Sequence, residues 1–389
     1  MKNLYQGDRG ILVSYMQLAL KRAGYPLLVD GIFGTDTCRA LADFLQTDRT
    51  PDRICVVDRS VWEKLLPYLR GYATEERENR ILFEDPVTSV EVPYTSLLTA
   101  AVIDGILARY PFLKSGEIGK SVMGKPISYL EIGNGEKEVF YNASFHANES
   151  ITTPVLLKFA EEYAQAYEKG TALYGVPAAE LFEEYRLFLV PLVNPDGVDL
   201  VNGLLTDGGY YRRAQQMASD YPAIPFPSGW KANIEGIDLN LQFPAGWENA
   251  KRIKYAQGYT KPAPRDYVGE APLTAPESEA VYAFTRSHDF RLILAYHTQG
   301  EVIYWKYLDY EPAHSYEIAQ YFGRVSGYTV EETPTQSGYA GYKDWFIQEY
   351  DRPGYTIEAG MGENPLPMSD FAGIYRDNAG ILLGGMTQI

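Results

Sequence analysis

Ser144-Phe145-His146-Ala147-Asn148-Glu149 sets an imidazole and a carboxylate three residues apart, directly after the apolar run Val139-Phe140-Tyr141. The run reads as a buried strand, so the pair sits at a strand end. Histidine and glutamate are zinc ligands, and a catalytic zinc takes three protein ligands while keeping a fourth position for water. The chain has four histidines, His146, His288, His297 and His314, and His297 is the one that follows a strongly apolar segment, Leu292-Ile293-Leu294-Ala295-Tyr296. His146, Glu149 and His297 are therefore the candidate ligands of one zinc ion per chain. The competing reading makes both histidines ordinary strand-end residues bonded to backbone, and H-x-x-E alone leaves it open.

Two further residues complete a hydrolytic set. Tyr355-Thr356-Ile357-Glu358-Ala359-Gly360 ends a short apolar run in a carboxylate beside small residues. Such a carboxylate can stand near a metal without ligating it and serve as general base, taking a proton from the attacking water and passing it to the leaving amine. A developing oxyanion also needs a cation or hydrogen-bond donor, and Lys231, within Trp230-Lys231-Ala232-Asn233, offers one.

The elements that must position these residues follow from periodicity. Apolar runs alternate with helical stretches: Val139 to Phe145, Leu156 to Tyr167 as helix, Leu187 to Val193, Ser278 to Arg286 as helix, Leu292 to Tyr296, and Tyr355 to Ile357. Alternation of this kind predicts an α/β domain with a mixed central sheet flanked by helices, whose site lies outside the carboxyl ends of the strands. Before it, Leu98, Ala101, Val102 and Ile106 predict a helix ending ahead of Tyr110-Pro111. The first seventy residues predict three short helices with apolar faces at Leu12, Met16, Ala19, Leu20 and Ala23, at Ala40, Leu41, Phe44 and Leu45, and at Val61, Trp62, Leu65, Leu66 and Leu69. The expected organisation is a three-helix domain over 1–70, a charged connector over 71–93 with one strand at Val87 to Val92, and the α/β domain over 94–389.

Composition excludes some functions. A net charge of −16 argues against nucleic acid, whose phosphates need a basic surface. No apolar run is long enough to span a bilayer, so no membrane partner is expected, and Met1 to Gly7 lacks the basic start and apolar core of a signal peptide. Cys38 and Cys55 have no metal-like spacing and form either a disulfide or two buried thiols, of which the reading favours thiols.

Ordered motifs add family resemblances. Gly7-Asp8-Arg9-Gly10, Gln17, Gly31-Ile32-Phe33-Gly34 after Val29-Asp30, Thr37, Ala40 and Phe44 resemble the peptidoglycan-binding domain of bacterial cell-wall hydrolases. From about Tyr94 onward the chain resembles the zinc carboxypeptidase family. The blocks are Ile118-Gly119-Lys120-Ser121 with Gly124, His146 with Glu149, Asn194-Pro195-Asp196-Gly197, Gly236-Ile237-Asp238-Leu239-Asn240, His297, and Thr356-Ile357-Glu358 before Gly360. That resemblance implies zinc on His146, Glu149 and His297, with Glu358 as base.

The departures are as informative. In members that remove C-terminal residues an arginine follows the D-x-N block and clamps the terminal carboxylate together with the asparagine; here Asn240 is followed by Leu241. Lys231 aligns with the family's oxyanion arginine, keeping the charge without the bidentate fork. Asn148 stands where some members carry a further arginine. In the loop Gly338 to Trp345, Tyr339 is placed to take the role of the mobile active-site tyrosine and Lys343 to face the pocket; a surface aromatic and a solvated lysine are the alternatives. These departures, with W-K-A-N and H-T-Q-G, resemble the bacterial γ-D-glutamyl-diaminopimelate endopeptidase branch. The implied substrate is peptidoglycan or a muropeptide, with Asn240, Tyr339 and Lys343 as substrate-binding residues, and Lys343, Arg212 or Arg213 as the relocated cation. With no signal peptide visible, the expected location is cytoplasmic or spore-associated, with cell-wall contact. A general metallocarboxypeptidase and a non-catalytic peptidoglycan-binding protein are the alternatives.

Overall fold

The computed structural model describes residues 3–28, 31–46, 55–69, 86–90 and 92–389. The chain forms two compact units, one of residues 1–92 with 97–114 and one of residues 93–96 with 115–389.

In the first unit, strands β1 (Leu4–Tyr5) and β2 (Val56–Val57) pair antiparallel beside helices α1 (Ile11–Arg22), α2 (Thr35–Leu45) and α3 (Arg59–Leu65). Helix α4 (Ser96–Arg109) contributes all but its first residue to this unit. Of the predicted apolar faces, Met16, Ala19, Leu20 and Leu65 are wholly enclosed and Leu12, Ala40, Leu41, Val61 and Trp62 are buried, whereas Ala23, Phe44 and Leu45 are half-buried and the side chains of Leu66 and Leu69 lie outside the described residues. Gln17, also buried, fixes the turn ahead of α2: its Nε2 donates to Ile32 O (3.1 Å) and Thr37 Oγ1 (2.9 Å), and its Oε1 accepts from Gly31 N (2.8 Å). Two expectations are corrected here. Cys38 and Cys55 are a disulfide rather than thiols, because α2 and the segment entering β2 bring their Cα atoms to 5.8 Å, within bonding reach. No strand runs through the described residues of 87–92; Val87 is buried in a bend instead, its carbonyl accepting from Tyr15 Oη (2.9 Å). Most of the predicted connector lies outside the described residues.

The second unit is built on an eight-stranded sheet, the mixed α/β architecture expected. Its strands are β3 (Lys114–Lys120), β4 (Pro126–Ile132), β5 (Lys137–Ala143), β8 (Tyr185–Val190), β9 (Leu292–His297), β10 (Val302–Tyr304), β11 (Thr329–Glu331) and β12 (Gly354–Glu358), in the order β11-β10-β12-β9-β5-β8-β4-β3. A separate hairpin joins β6 (Ala172–Leu173) and β7 (Val176–Pro177). The central run β12, β9, β5 and β8 is parallel, and β10 and β4 pair antiparallel at its two sides. Strands covered on both faces read as near-continuous apolar runs, which is why these four were visible in the sequence.

The connecting helices are α5 (Thr152–Glu168), α6 (Ala178–Glu184), α7 (Pro195–Val201), α8 (Gly208–Ser219), α9 (Trp247–Ala256), α10 (Pro276–Arg286), α11 (Ser315–Ser326), α12 (Tyr342–Tyr350) and α13 (Phe371–Thr387). Alternate residues of β5 serve the two faces. Phe140 joins Val281 of α10 and Tyr342 and Trp345 of α12 in one core, whereas Tyr141 reaches the other face and donates to Leu382 O of α13 (2.8 Å). Gly385 of α13 leaves room for that tyrosine, since a Cβ there would collide with the phenol oxygen. Chain order reverses at β5, which is followed by β8 on one side and by β9 on the other. The crevice beyond the carboxyl ends of β5 and β9 is thus the switch point at which open α/β sheets gather their sites. Among the described residues no helix is long and apolar enough to cross a membrane.

Candidate active site and metal centre

Beyond Ala143 the chain leaves β5 through Ser144 in the left-handed conformation (φ 54°). The Ser144 hydroxyl lies 2.9 Å from the hydroxyls of both Thr152 and Thr153, which fixes the turn. His146 then opens a single 3₁₀ turn, Ala147–Glu149, so that both side chains of H-x-x-E face one point. Asn194, from the N-P-D-G motif, staples this turn to the Lys231 segment: its Nδ2 donates to Phe145 O (3.1 Å) and Ala232 O (3.0 Å), while its Oδ1 accepts from Gly197 N (3.0 Å). Gly197 is required by closeness, because a Cβ would sit 2.7 Å from Ala232 O and 2.8 Å from Ala147 Cβ.

His297 closes β9 and stands in register with Glu358, the last residue of β12. The three candidate ligands converge: Glu149 Oε1 is 2.9 Å from His146 Nδ1, Glu149 Oε2 is 3.0 Å from His297 Nδ1, and the two Nδ1 atoms are 3.1 Å apart. A tetrahedral ion at zinc–nitrogen distances near 2.0 Å sets its ligand atoms ~3.3 Å apart, so the donor set fits zinc in both chemistry and size. The ligands are held from behind. His146 Nε2 lies 3.0 Å from Asp238 Oδ1, Thr298 N donates to Glu149 Oε2 (3.3 Å), and Asn240 Nδ2 is 3.5 Å from His297 Nε2.

Electrostatics separate the two glutamates of the centre, buried Glu149 and half-buried Glu358. Burial opposes the charge on Glu149, but the His146 and Lys231 charges hold its carboxyl well below the usual range. Glu358 is pushed up to about 7 by burial and by the charge of Glu149. Burial also disfavours the His146 cation, yet Glu149 and Asp238 outweigh it and raise that ring to about 9. Asp238, opposed by burial, is held low by His146. Lys231 Nζ, 3.2 Å from Glu149 Oε1, has its pKa raised by Glu149 and Asp238 against the cost of burial.

A cavity of about 220 Å³ opens onto this centre, lined in part by His146, Lys231, Asn240, Leu241, Lys343 and Glu358. The structure therefore gathers most of the residues singled out in the sequence. Lys343 is in the wall but engaged, donating to Lys306 O (2.6 Å) and Thr333 Oγ1 (3.2 Å) and pairing with Asp344 Oδ1 (2.6 Å). Tyr339 is not among the lining residues; it packs against Leu241, Trp247 and Tyr307. Arg213 lies elsewhere, over the Tyr210 ring at 4.5 Å, and neither it nor Arg212 reaches the cavity. Sequence reasoning missed the role of Asp238, although its place in D-x-N was a usable signal. It also missed Lys254, Arg265 and Asp266 in the cavity wall, for which no local pattern gave notice.

Comparison with known proteins agrees with this geometry. The gamma-D-glutamyl-L-diamino acid endopeptidase 1 of Lysinibacillus sphaericus is 48% identical over 278 residues, covering 71% of this chain and 68% of the relative. The uncharacterized protein YqgT of Bacillus subtilis (strain 168) is 44% identical over 334 residues, covering 81% of this chain and 87% of that one. The fold matches the crystal structure of thrombin activatable fibrinolysis inhibitor (TM-score 0.61, 16% identity, 100% and 98% of the two chains) and that of carboxypeptidase A from Helicoverpa armigera (0.57, 19%, 90% and 94%). The zinc carboxypeptidase family profile matches residues 99–379, most of the chain and all of the His-Glu-His centre. With the ligand set, the sheet and the family profile in agreement, this chain belongs to the zinc carboxypeptidase family and is a single-zinc metallopeptidase.

Proposed function

We propose that the protein hydrolyses the amide between the γ-carboxyl of D-glutamate and meso-diaminopimelate in peptidoglycan stem peptides. The observation that carries this reading is Leu241, which lines the cavity directly after Asn240. An aliphatic side chain cannot donate to a carboxylate, so the clamp on a peptide's C-terminus that a carboxypeptidase needs is missing at this position. A γ-linked stem peptide offers carboxylates away from that position, the α-carboxylate of D-glutamate and the distal carboxylate of diaminopimelate. The 48% identity to a relative named for γ-D-glutamyl-diamino acid cleavage supports the same substrate class.

The proposed roles follow from the geometry. His146, Glu149 and His297 would hold the zinc, which when bound would supply a Lewis acid for the scissile carbonyl and acidify a water. Glu358 takes the proton of the attacking water and delivers it to the leaving amine; among the described residues no side chain hydrogen-bonds its carboxylate, so its lone pairs are available. Lys231 faces the oxyanion. Asn240 orients the substrate from the cavity wall, its Oδ1 held by Tyr342 N at 2.9 Å. The N-terminal unit tethers the enzyme to its polymer, which raises local concentration without changing the chemistry.

Mass spectrometry of products tests the reading. Zinc-loaded protein incubated with L-Ala-γ-D-Glu-meso-diaminopimelate should release free diaminopimelate and leave a plain α-linked peptide intact. Trimming of the plain peptide from its C-terminus would instead establish a general carboxypeptidase.

A further inference from the structure

We propose that Arg265 receives a substrate carboxylate at the active-site cavity, filling the place that Leu241 leaves without a cation. This rests on the γ-D-glutamyl peptidase reading and names the residue that makes such a substrate recognisable. Arg265 lies in the cavity wall with Lys231, Asp238 and Leu241.

Its backbone is locked to the centre on both sides. Pro264 O accepts from Lys231 N (2.7 Å) and Ala232 N (2.9 Å), and Asp266 N donates to Asp238 Oδ2 (3.1 Å), the same carboxylate that orients His146. The position of residue 265 is thereby tied to both the oxyanion cation and a zinc ligand. Its side chain is aimed as well: Nε donates to Asp266 Oδ2 (2.6 Å), and Asp266 Oδ1 is held in turn by Lys254 Nζ (2.5 Å). Asp266 thus grips the guanidinium by one edge. A guanidinium has five donors, and among the described residues Nε–H is the one bonded within the protein. The outer edge, with both terminal nitrogens, remains for a planar anion, and the side chain is 42% exposed.

The other cations fit less well. Lys343 has an acceptor for each of its three hydrogens in Lys306 O, Thr333 Oγ1 and Asp344, and would have to break a buried pair to bind substrate. Lys254 is nearly buried behind Asp266, at 11% exposure. Lys231 already faces Glu149. Arg265 is the cation here with both a fixed stem and a free fork.

The carboxylate could be the α-carboxylate of D-glutamate, on the acyl side, or one belonging to diaminopimelate, on the amine side. Steady-state hydrolysis by the zinc-loaded full chain and its Arg265→Met and Arg265→Lys variants distinguishes them. Three peptides are compared: L-Ala-γ-D-Glu-meso-diaminopimelate, its D-glutamate α-carboxamide, and its diaminopimelate dicarboxamide. Arg265→Met should lose about 100-fold in kcat/KM on the parent peptide, mainly through KM, as loss of a charge-assisted hydrogen-bond pair predicts. On the one analogue that already lacks the recognised carboxylate the variant should match wild type, and Arg265→Lys should recover part of the loss. Equal losses on all three peptides, or none on any, would overturn the assignment, since a merely structural arginine cannot tell the peptides apart. If wild type hydrolyses none of them, the proposed function itself fails. Calorimetric binding of the same peptides to wild type and Arg265→Met then decides the arginine on the same comparison.

Discussion

Glu149 is buried and Glu358 half-buried at one centre, and what surrounds the two carboxylates suits them to opposite tasks. Glu149 is enclosed by donors and cations that hold it ionised, as its proposed role as a ligand requires. Glu358 has neighbouring charges but, among the described residues, no side-chain hydrogen-bond partner, which leaves it free to exchange a proton. Glu358→Gln should therefore keep its zinc while turnover falls by about 10²–10⁴-fold, the usual contribution of a general base, because the amide is nearly isosteric but cannot accept a proton. Metal analysis beside product assays checks both halves, and full activity would remove Glu358 from the mechanism. Asp238 works one step further out. It fixes the His146 ring through Nε2, so Asp238→Ala should weaken zinc binding by about 10–100-fold in a chelator competition, with unchanged affinity contradicting an orienting role.

The elements beneath the site bury charge as well as apolar surface. Lys125 Nζ sits 3.0 Å from Asp196 Oδ1 and 2.7 Å from Asp199 Oδ2, two carboxylates whose side chains are 0% and 2% exposed. Asp196 belongs to the N-P-D-G turn that opens α7, and Asp199 lies within that helix. Removing the shared cation strands both charges, so Lys125→Met should destabilise the protein by about 3–5 kcal/mol, read as a lower thermal midpoint. A midpoint within 1 °C of wild type would show that this pair contributes nothing. How much of the sheet could be read in advance has a physical basis at the same scale. Strands β5, β8, β9 and β12 are buried on both faces and announced themselves as apolar runs; β10 and β11, three residues each near one edge, are too short to do so. Helix α13 hid for another reason: its sequence is interrupted by Gly373, Gly380, Gly384 and Gly385, a poor helix former on propensity alone. Packing requires the break in pattern, since Tyr141 needs the space at Gly385. The candidate zinc ligands were legible because imidazoles are scarce in this chain and His146 and His297 both stand at the carboxyl ends of strands. Arg265 was not, because its significance comes from bonds to Lys231 and Asp238 through its neighbours, which the sequence places far apart.

Across the whole molecule, the described disulfide and the zinc centre lie in different compact units, so covalent and metal stabilisation act on separate parts of the chain. Cys38 and Cys55 close a loop of 17 residues, and a loop of that length restrains the unfolded chain by about 3 kcal/mol in the chain-entropy account. Reduction should therefore lower the first unit's unfolding transition while leaving hydrolysis of a soluble stem peptide unchanged, because no catalytic residue proposed above belongs to that unit. Chelation of zinc should do the reverse, abolishing hydrolysis and lowering the transition of the second unit through loss of a ligand bound to the folded state. Calorimetric scans of the oxidised, reduced and chelated protein, each paired with an activity assay, separate these effects. If reduction alone abolished hydrolysis of the soluble peptide, the N-terminal unit would have to support the catalytic one directly, and its role could no longer be that of a tether.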